Sequence, residues 1–209
     1  MDEIKNVVII GNEDTGKTTL ANALLAVTLP ARELFPQSYD GVYTPTLKCD
    51  SRMLTQTVQL TDTPGYSLLW NTIPEEVETA AATADTLIVM LSEEMEEEVV
   101  DIPPEDPMWE KCKGKEEKLL ENFLKGKTRD IYFVIPYNTE DWPEDEPIPL
   151  SQALRFAQRR FSRFTDHGEN AFFCIDPMQA LEGELWLDDN MLEISGILPL
   201  RKVFLGKDV

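Results

Sequence analysis

The segment VVIIGNEDTGKTTLANALL, residues 7 to 25, constrains the fold of this chain more than any other part of the sequence. The run from Ile4 to Ile10 is rich in apolar, β-branched residues, which is typical of a strand buried on both faces of a parallel sheet. Leucine and alanine then recur at near-helical spacing, which predicts a helix from Thr18 to Thr28, before Pro30. The sequence therefore predicts a buried strand, a glycine-containing loop and a helix.

The loop itself, GNEDTGKT at residues 11 to 18, fits the pattern G-x-x-x-x-G-K-[ST] at every fixed position. Glycines let the backbone curl so that successive N–H groups point inward, and the positive N-terminus of the next helix attracts phosphate. Lys17 would reach the β and γ phosphates of a nucleotide, and the Thr18 hydroxyl would reach a Mg²⁺ ion. A glycine-rich turn with a surface lysine is the alternative. The predicted phosphate-binding residues of this segment are Gly11, Asn12, Glu13, Asp14, Thr15, Gly16, Lys17, Thr18 and Thr19.

A second motif, VQLTDTPG at residues 58 to 65, places a carboxylate at the end of a predicted strand and a glycine three positions later. We expect Asp62 to support a hard cation beside a triphosphate, and the Gly65 N–H to meet the γ phosphate. Asp-x-Pro-Gly also occurs as a simple turn. Its place at the end of a strand favours the functional interpretation.

The rest of the chain alternates strands with helices, which implies a mainly parallel sheet with helices on both faces. Ligands of such sheets bind beyond the carboxyl ends of the strands. Two segments, Leu47 to Leu54 and Thr55 to Thr61, alternate around Asp50 and Ser51 and predict a hairpin with an antiparallel edge strand. The other predicted elements are a helix from Glu75 to Ala84, a strand from Thr86 to Leu91, a helix over 108 to 125, a strand from Ile131 to Ile135, a helix over 150 to 165 and a strand from Asn170 to Ile175.

Composition limits the partners. The 209 residues suffice for one domain and include 19 Lys and Arg against 39 Asp and Glu, a net charge of −20. A surface this acidic repels polyanions, so we expect neither nucleic acid nor an anionic membrane as a partner. Carboxylates and prolines concentrate at residues 93 to 107, which we interpret as an exposed acidic insertion, with an acidic partner-binding segment as the alternative.

Three cysteines, Cys49, Cys112 and Cys174, lie far apart and form no C-x-x-C pair, so neither a disulfide framework nor a zinc site is indicated. The longest strongly apolar run, Leu87 to Leu91, is far shorter than the roughly 20 residues that a membrane span requires. The opening residues MDEIKN lack the pattern of a secretory signal. These features predict a cytoplasmic protein without a membrane segment.

The phosphate loop and the Asp62-x-x-Gly65 motif resemble those of the P-loop GTPases, and within them the Ras-like and Era-like small G domains. The resemblance covers residues 4 to about 180 and implies a three-layer α/β P-loop NTPase fold, with GTP or GDP as ligand and Mg²⁺ as cofactor. In that family a switch threonine closes over Mg²⁺. Thr46 is our first candidate and Thr44 the second, although both could be solvated loop hydroxyls. The resemblance also implies a protein effector or regulator, which would bind at residues 36–46 and 63–80.

The family reads guanine with Asn-Lys-x-Asp after the next-to-last buried strand, where this chain has Asn-Thr-Glu-Asp. The resemblance therefore implies that Asn138, Thr139 and Asp141 bind the nucleotide base. Asp141 could accept hydrogen bonds from N–H groups that guanine has and adenine lacks. Thr139 replaces the lysine that normally covers the base, so ATP, or no base preference, stays open. Residues 176 to 180 do not match the last motif of the family, and we predict no site residue there.

Ras-like members carry a glutamine after Asp-x-x-Gly that orients the attacking water, and this chain has Tyr66 there. No catalytic base is evident, because we expect His167 to lie at the surface, and Glu13 or Asp14 could equally repel a triphosphate. We therefore expect slow, partner-assisted GTP hydrolysis. A non-hydrolysing adaptor and an ATP-using P-loop enzyme are the alternatives.

The helix predicted over residues 150 to 165 has a basic face of Arg155, Arg159 and Arg163. We expect this face to pair with acidic loops of the same chain, with an acidic partner as the alternative. The opposite, apolar stripe is predicted to pack in the core and consists of Leu150, Leu154, Ala157, Phe161 and Phe164.

Overall fold

The computed structural model describes residues 3–36, 48–92, 114–138 and 150–205. Six strands form one sheet in the order β2-β3-β1-β4-β5-β6. The β2–β3 pair is antiparallel and every other neighbouring pair is parallel, which confirms the predicted sheet with one antiparallel edge strand. The strands are β1 (Lys5–Gly11), β2 (Asp50–Met53), β3 (Val58–Asp62), β4 (Thr86–Met90), β5 (Ile131–Pro136) and β6 (Phe172–Ile175).

Seven α-helices lie within the described ranges. The predicted helices agree with the structure within a few residues, although residues 108 to 113 of the third lie outside those ranges. The helices are α1 (Lys17–Leu25), α2 (Glu75–Ala82), α3 (Lys115–Phe123), α4 (Leu150–Phe161), α5 (Pro177–Trp186), α6 (Asp189–Ile194) and α7 (Leu198–Leu205).

The last three helices were not predicted. Asp176 accepts hydrogen bonds from the amides of Met178 and Gln179 at 3.1 and 3.0 Å, and Pro177 occupies the first helical turn of α5. Asp188 caps α6 in the same way. Aspartate caps and a proline at the first position are start signals for helices. Both signals were present in the sequence.

The central strands are buried along their whole apolar length, because Val7 to Ile10 and Leu87 to Met90 are 0% exposed. Such strands need helices on both faces of the sheet. Farther along the sheet, the Phe133 ring stacks on that of Phe172 with centroids 5.0 Å apart. The fold class predicted from the sequence is confirmed.

The β2–β3 hairpin turns where the two predicted segments meet. Asp50 and Ser51 lie inside β2, opposite Asp62 and Thr61. The chain turns after Leu54, whose amide donates to the Val58 carbonyl at 2.8 Å. The polar Asp50 and Ser51 fit this edge strand, because an edge strand can expose polar side chains.

One residue of the predicted basic face, Arg163, lies just after α4 and pairs with a helix of the same chain. Arg163 contacts Glu117 of α3 at 2.8 Å, and Arg155 and Arg159 are exposed. The strongest pair involves Arg160, which the helical pattern did not single out: it is 3% exposed and lies 2.5 Å from Glu117. Ala157 and Phe161 are buried as predicted, and Leu150, Leu154 and Phe164 are only partly buried.

Candidate phosphate-binding site

The loop between β1 and α1 curls tightly at its two glycines. A Cβ at Gly11 would lie 2.8 Å from the Met90 carbonyl oxygen, so a side chain there would displace β4. Gly16 has a φ of +78°, a conformation that glycine adopts without a steric penalty. Asp14 also has a positive φ, of 61°. These constraints explain why the motif requires glycine at both fixed positions.

The curled loop presents backbone donors that the chain itself does not use. Within the described ranges, the N–H groups of residues 14 to 17 have no hydrogen-bond acceptor. Gly16 precedes α1 and offers no capping side chain. A run of free amides at a helix N-terminus attracts an anion through both hydrogen bonds and the helix dipole.

Lys17 lies within this loop. Its Nζ donates to the Asn12 carbonyl at 2.6 Å, and the residue is only 7% exposed. Burial lowers the pKa of Lys17 to about 8, although the nearby carboxylates of Asp62, Asp14 and Glu13 oppose that shift. An anion in the loop would compensate the cost of burying this ammonium group.

Asp62 and Thr18 lie side by side next to the loop. Asp62 ends β3, is 1% exposed, and accepts a hydrogen bond from the Thr18 hydroxyl at 2.6 Å. The β1–β3 register holds it there by pairing it with Ile9. The described residues contain no cluster of three or more His, Cys, Asp or Glu that could hold a metal ion by itself.

The segment after Asp62 lies against the phosphate loop. The Tyr66 amide donates to the Gly11 carbonyl at 3.0 Å, and the Glu13 amide donates to the Tyr66 carbonyl at 2.9 Å. A Cβ at Gly65 would lie 2.7 Å from the Glu13 Cα, so this approach is possible only for glycine. The two sequence motifs are thus neighbours in space.

The Tyr66 side chain points away from the loop. It is 0% exposed, and its hydroxyl is hydrogen-bonded to Glu116 Oε1 of α3. His167 is not positioned to act as a base at this loop: it lies 2.5 Å from Asp130 at the amino end of β5, whereas the loop follows the carboxyl end of the parallel strand β1. It is partly buried and stacks on Tyr132, so the expected surface position holds only in part.

Only some of the residues predicted to bind the nucleotide base lie within the described ranges. Asn138 is exposed, two residues after the end of β5. Thr139 and Asp141 lie outside the described ranges, as do Thr44, Thr46 and the acidic segment 93–107. The unmatched residues 176 to 180 form the N-cap and the first turn of α5, and a Cβ at Gly16 would lie 3.3 Å from Pro177 Cγ.

Sequence reasoning missed Glu116. Two adjacent glutamates in the first turn of a helix normally indicate a solvated, dipole-stabilising position, but both Glu116 and Glu117 are 0% exposed. Their burial depends on partners distant in the chain, so no local signal could have revealed it.

The sheet order, the strand–loop–helix unit and the adjacent Asp62 define a phosphate-loop protein of the α/β class. Residues 6–136 match the sequence model of the family described as 50S ribosome-binding GTPase. This match covers more than half of the chain, which therefore belongs to that GTPase family and has a P-loop G domain. The search of curated proteins gave no match.

Two solved structures are similar to this chain. One is Era from Aquifex aeolicus, a point variant bound to GDP and AlF4−, with 18% identity, a TM-score of 0.50, and coverage of 91% of this chain and 56% of that one. The other is Era in complex with MgGDPNP and nucleotides 1506–1542 of 16S ribosomal RNA, with 18% identity, a TM-score of 0.48, and coverage of 92% and 57%. At this identity the first likeness shows the fold alone, and the second carries no argument. The chain spans little more than half the length of these proteins.

No helix among the described residues is long and apolar enough to cross a membrane.

Proposed function

We propose that this chain is a single G domain that binds GTP and GDP with Mg²⁺ and hydrolyses GTP slowly, with a partner needed for speed. The observation that carries the proposal is the set of unused amides at residues 14 to 17, with Lys17 folded into the same loop. Backbone N–H donors together with a buried ammonium group form a site that binds phosphate.

In this proposal the loop surrounds the phosphates. The backbone N–H groups hold the oxygens, Lys17 lies against the β and γ phosphates, and the Gly65 amide meets the γ phosphate. The proposed phosphate-binding residues are Gly11, Asn12, Glu13, Asp14, Thr15, Gly16, Lys17, Thr18, Thr19 and Gly65.

Thr18 and Asp62 fit Mg²⁺ because both offer hard oxygen atoms, 2.6 Å apart, at the mouth of the loop. The Thr18 hydroxyl would be a direct ligand, and Asp62 would hold the ion's water shell. The bound ion would neutralise charge on the phosphate oxygens. An ion that takes most of its ligands from nucleotide and water needs no dedicated protein cage. Thr46 remains the proposed switch ligand.

Guanine recognition is proposed for Asn138, Thr139 and Asp141, on the sequence pattern and on the position of Asn138 after β5. Because Thr139 replaces the lysine of the family motif, ATP stays an alternative to GTP as the bound nucleotide. ATP use would make the chain a P-loop enzyme of another kind.

Slow hydrolysis is proposed because Tyr66 is inside the core and bonded to Glu116. A residue in that position cannot orient water at the γ phosphate, so a partner would have to supply the missing group. The same observation favours the second candidate, an adaptor that binds nucleotide without turnover.

A partner surface is proposed at residues 63–80, together with 36–46. Leu69 and Trp70 are 76% and 74% exposed, at the tip of a turn closed by hydrogen bonds between Ser67 and Thr72. Exposed tryptophan is a frequent interface anchor. Helix α2 begins beside this turn with Glu75, Glu76 and Glu78, so we propose a protein partner with an apolar pocket bordered by basic side chains. The expectations of no nucleic-acid partner and of a cytoplasmic location remain predictions.

The test is to measure affinity for GTP, GDP, ATP and ADP with Mg²⁺ by calorimetry, followed by phosphate release over hours. Tight guanine-nucleotide binding with slow release supports the proposal, whereas ATP preference or no nucleotide binding contradicts it. Lys17→Ala should abolish binding, with Lys115→Ala as a lysine control outside the loop. Normal binding by Lys17→Ala would exclude the assigned loop.

A further inference from the structure

The fully buried Glu116 connects three elements that meet beside the phosphate loop. Its Oε2 accepts from the Ser92 amide at 2.7 Å, and its Oε1 accepts from the Ser92 hydroxyl at 3.2 Å and from the Tyr66 hydroxyl. Ser92 follows the carboxyl end of β4, and Glu116 lies in the first turn of α3. A buried carboxylate with these donors holds its partners firmly, because hydrogen bonds to a charged group are stronger than neutral ones.

Tyr66 carries this connection to the loop. Its backbone makes two hydrogen bonds with the loop, to Gly11 and Glu13, and the Leu68 amide adds a third to Asn12 Oδ1 at 3.1 Å. Gly65 is therefore fixed next to Glu13. Within the described ranges the Gly65 amide has no acceptor, so it stays available.

We propose that Glu116 is a positioning residue that acts through Tyr66 to hold Gly65 ready for the γ phosphate of a triphosphate. The inference rests on the proposed nucleotide binding and deepens it. GDP has no γ phosphate to meet Gly65, so the Glu116–Tyr66 connection selects between triphosphate and diphosphate.

The expected effect follows from conformational populations. The apparent affinity for a ligand equals its intrinsic affinity multiplied by the fraction of protein that is in the conformation competent to bind. Without the Tyr66 hydroxyl, the segment after Asp62 keeps its backbone hydrogen bonds but leaves the loop more often. Only triphosphate binding, through Gly65, requires the segment to return. Losing a hydrogen bond to a charged group can change the ratio of triphosphate to diphosphate affinity by up to about tenfold.

The experiment compares Tyr66→Phe, Glu116→Gln and wild type in their affinities for GDP and for a non-hydrolysable GTP analogue. Tyr66→Phe should keep GDP affinity within about twofold and lose up to about tenfold for the analogue. Glu116→Gln retains one carbonyl oxygen for the Tyr66 hydroxyl, so it should preserve part of the preference. Tyr132→Phe is the matched control, because it removes the hydroxyl of a buried tyrosine on β5, away from the loop.

Each result has a distinct meaning. An unchanged ratio in Tyr66→Phe overturns the inference. Equal losses for both nucleotides, together with a lower melting temperature, indicate a merely structural role and also overturn it. If wild type binds neither nucleotide, the proposed function itself fails.

Discussion

Glu116 and Glu117 are adjacent in α3 and equally buried, yet their surroundings differ. Glu117 lies between two cations, Arg160 at 2.5 Å and Arg163 at 2.8 Å, both on or directly after α4. Among the described residues, Glu116 accepts hydrogen bonds from neutral groups of Tyr66 and Ser92. One carboxylate therefore joins two helices, and the other joins a helix to the phosphate loop. The difference teaches that burial alone does not indicate what a charged residue does, because its partners determine that.

The largest expected effect is on stability, from Glu117→Ala. Removing Glu117 breaks a buried ion pair with Arg160, and breaking such a pair costs about 3–5 kcal/mol. Chemical denaturation should show this loss, while the ratio of GTP-analogue to GDP affinity stays at the wild-type value. A changed affinity ratio would contradict the proposal that only Glu116, and not Glu117, acts on the phosphate loop.

Glu116→Ala should destabilise the protein less, by about 2–3 kcal/mol, since it removes hydrogen bonds made to a charged group. In contrast with Glu117→Ala, the variant should also lose preference for the triphosphate. Denaturation and nucleotide titration on the same preparation test both parts. A stability loss without any change in preference would assign Glu116 to the fold alone.

Gly65→Ala tests the contact between the two motifs directly. The added methyl group would lie 2.7 Å from the Glu13 Cα, so one backbone segment must move, at a cost of about 1–3 kcal/mol. Affinity for the GTP analogue should fall more than affinity for GDP. Gly126→Ala is the control: it has a positive φ but no atom within 4 Å of the new Cβ, so it tests strain without crowding.

The smallest effect is expected from Glu121→Gln. Glu121 is 3.7 Å from Arg163, and its side chain is 44% exposed. An ion pair that solvent reaches contributes about 0.2–1 kcal/mol or less. Denaturation should therefore barely distinguish this variant from wild type. A loss comparable to that of Glu117→Ala would mean that the whole α3–α4 network acts as one unit.

Much of the fold follows from local patterns. The apolar runs predicted the parallel strands, and the alternation with helices predicted their arrangement. The helices after Ile175 were missed, although the caps Asp176 and Asp188 were present, because short helices have weak periodicity. In the candidate site, the sequence motifs alone predicted that the loop and Asp62 lie next to each other.

The sequence by itself determined the loop and the neighbouring Asp62, because the glycines, Lys17 and Thr18 act within one short segment, and Asp62 ends a strand of the same sheet. Only the tertiary structure decided where Tyr66 points and why Glu116 is buried. Those contacts join residues about fifty positions apart. Their geometry depends on how β4, α3 and the loop pack together, and no local sequence pattern encodes such packing.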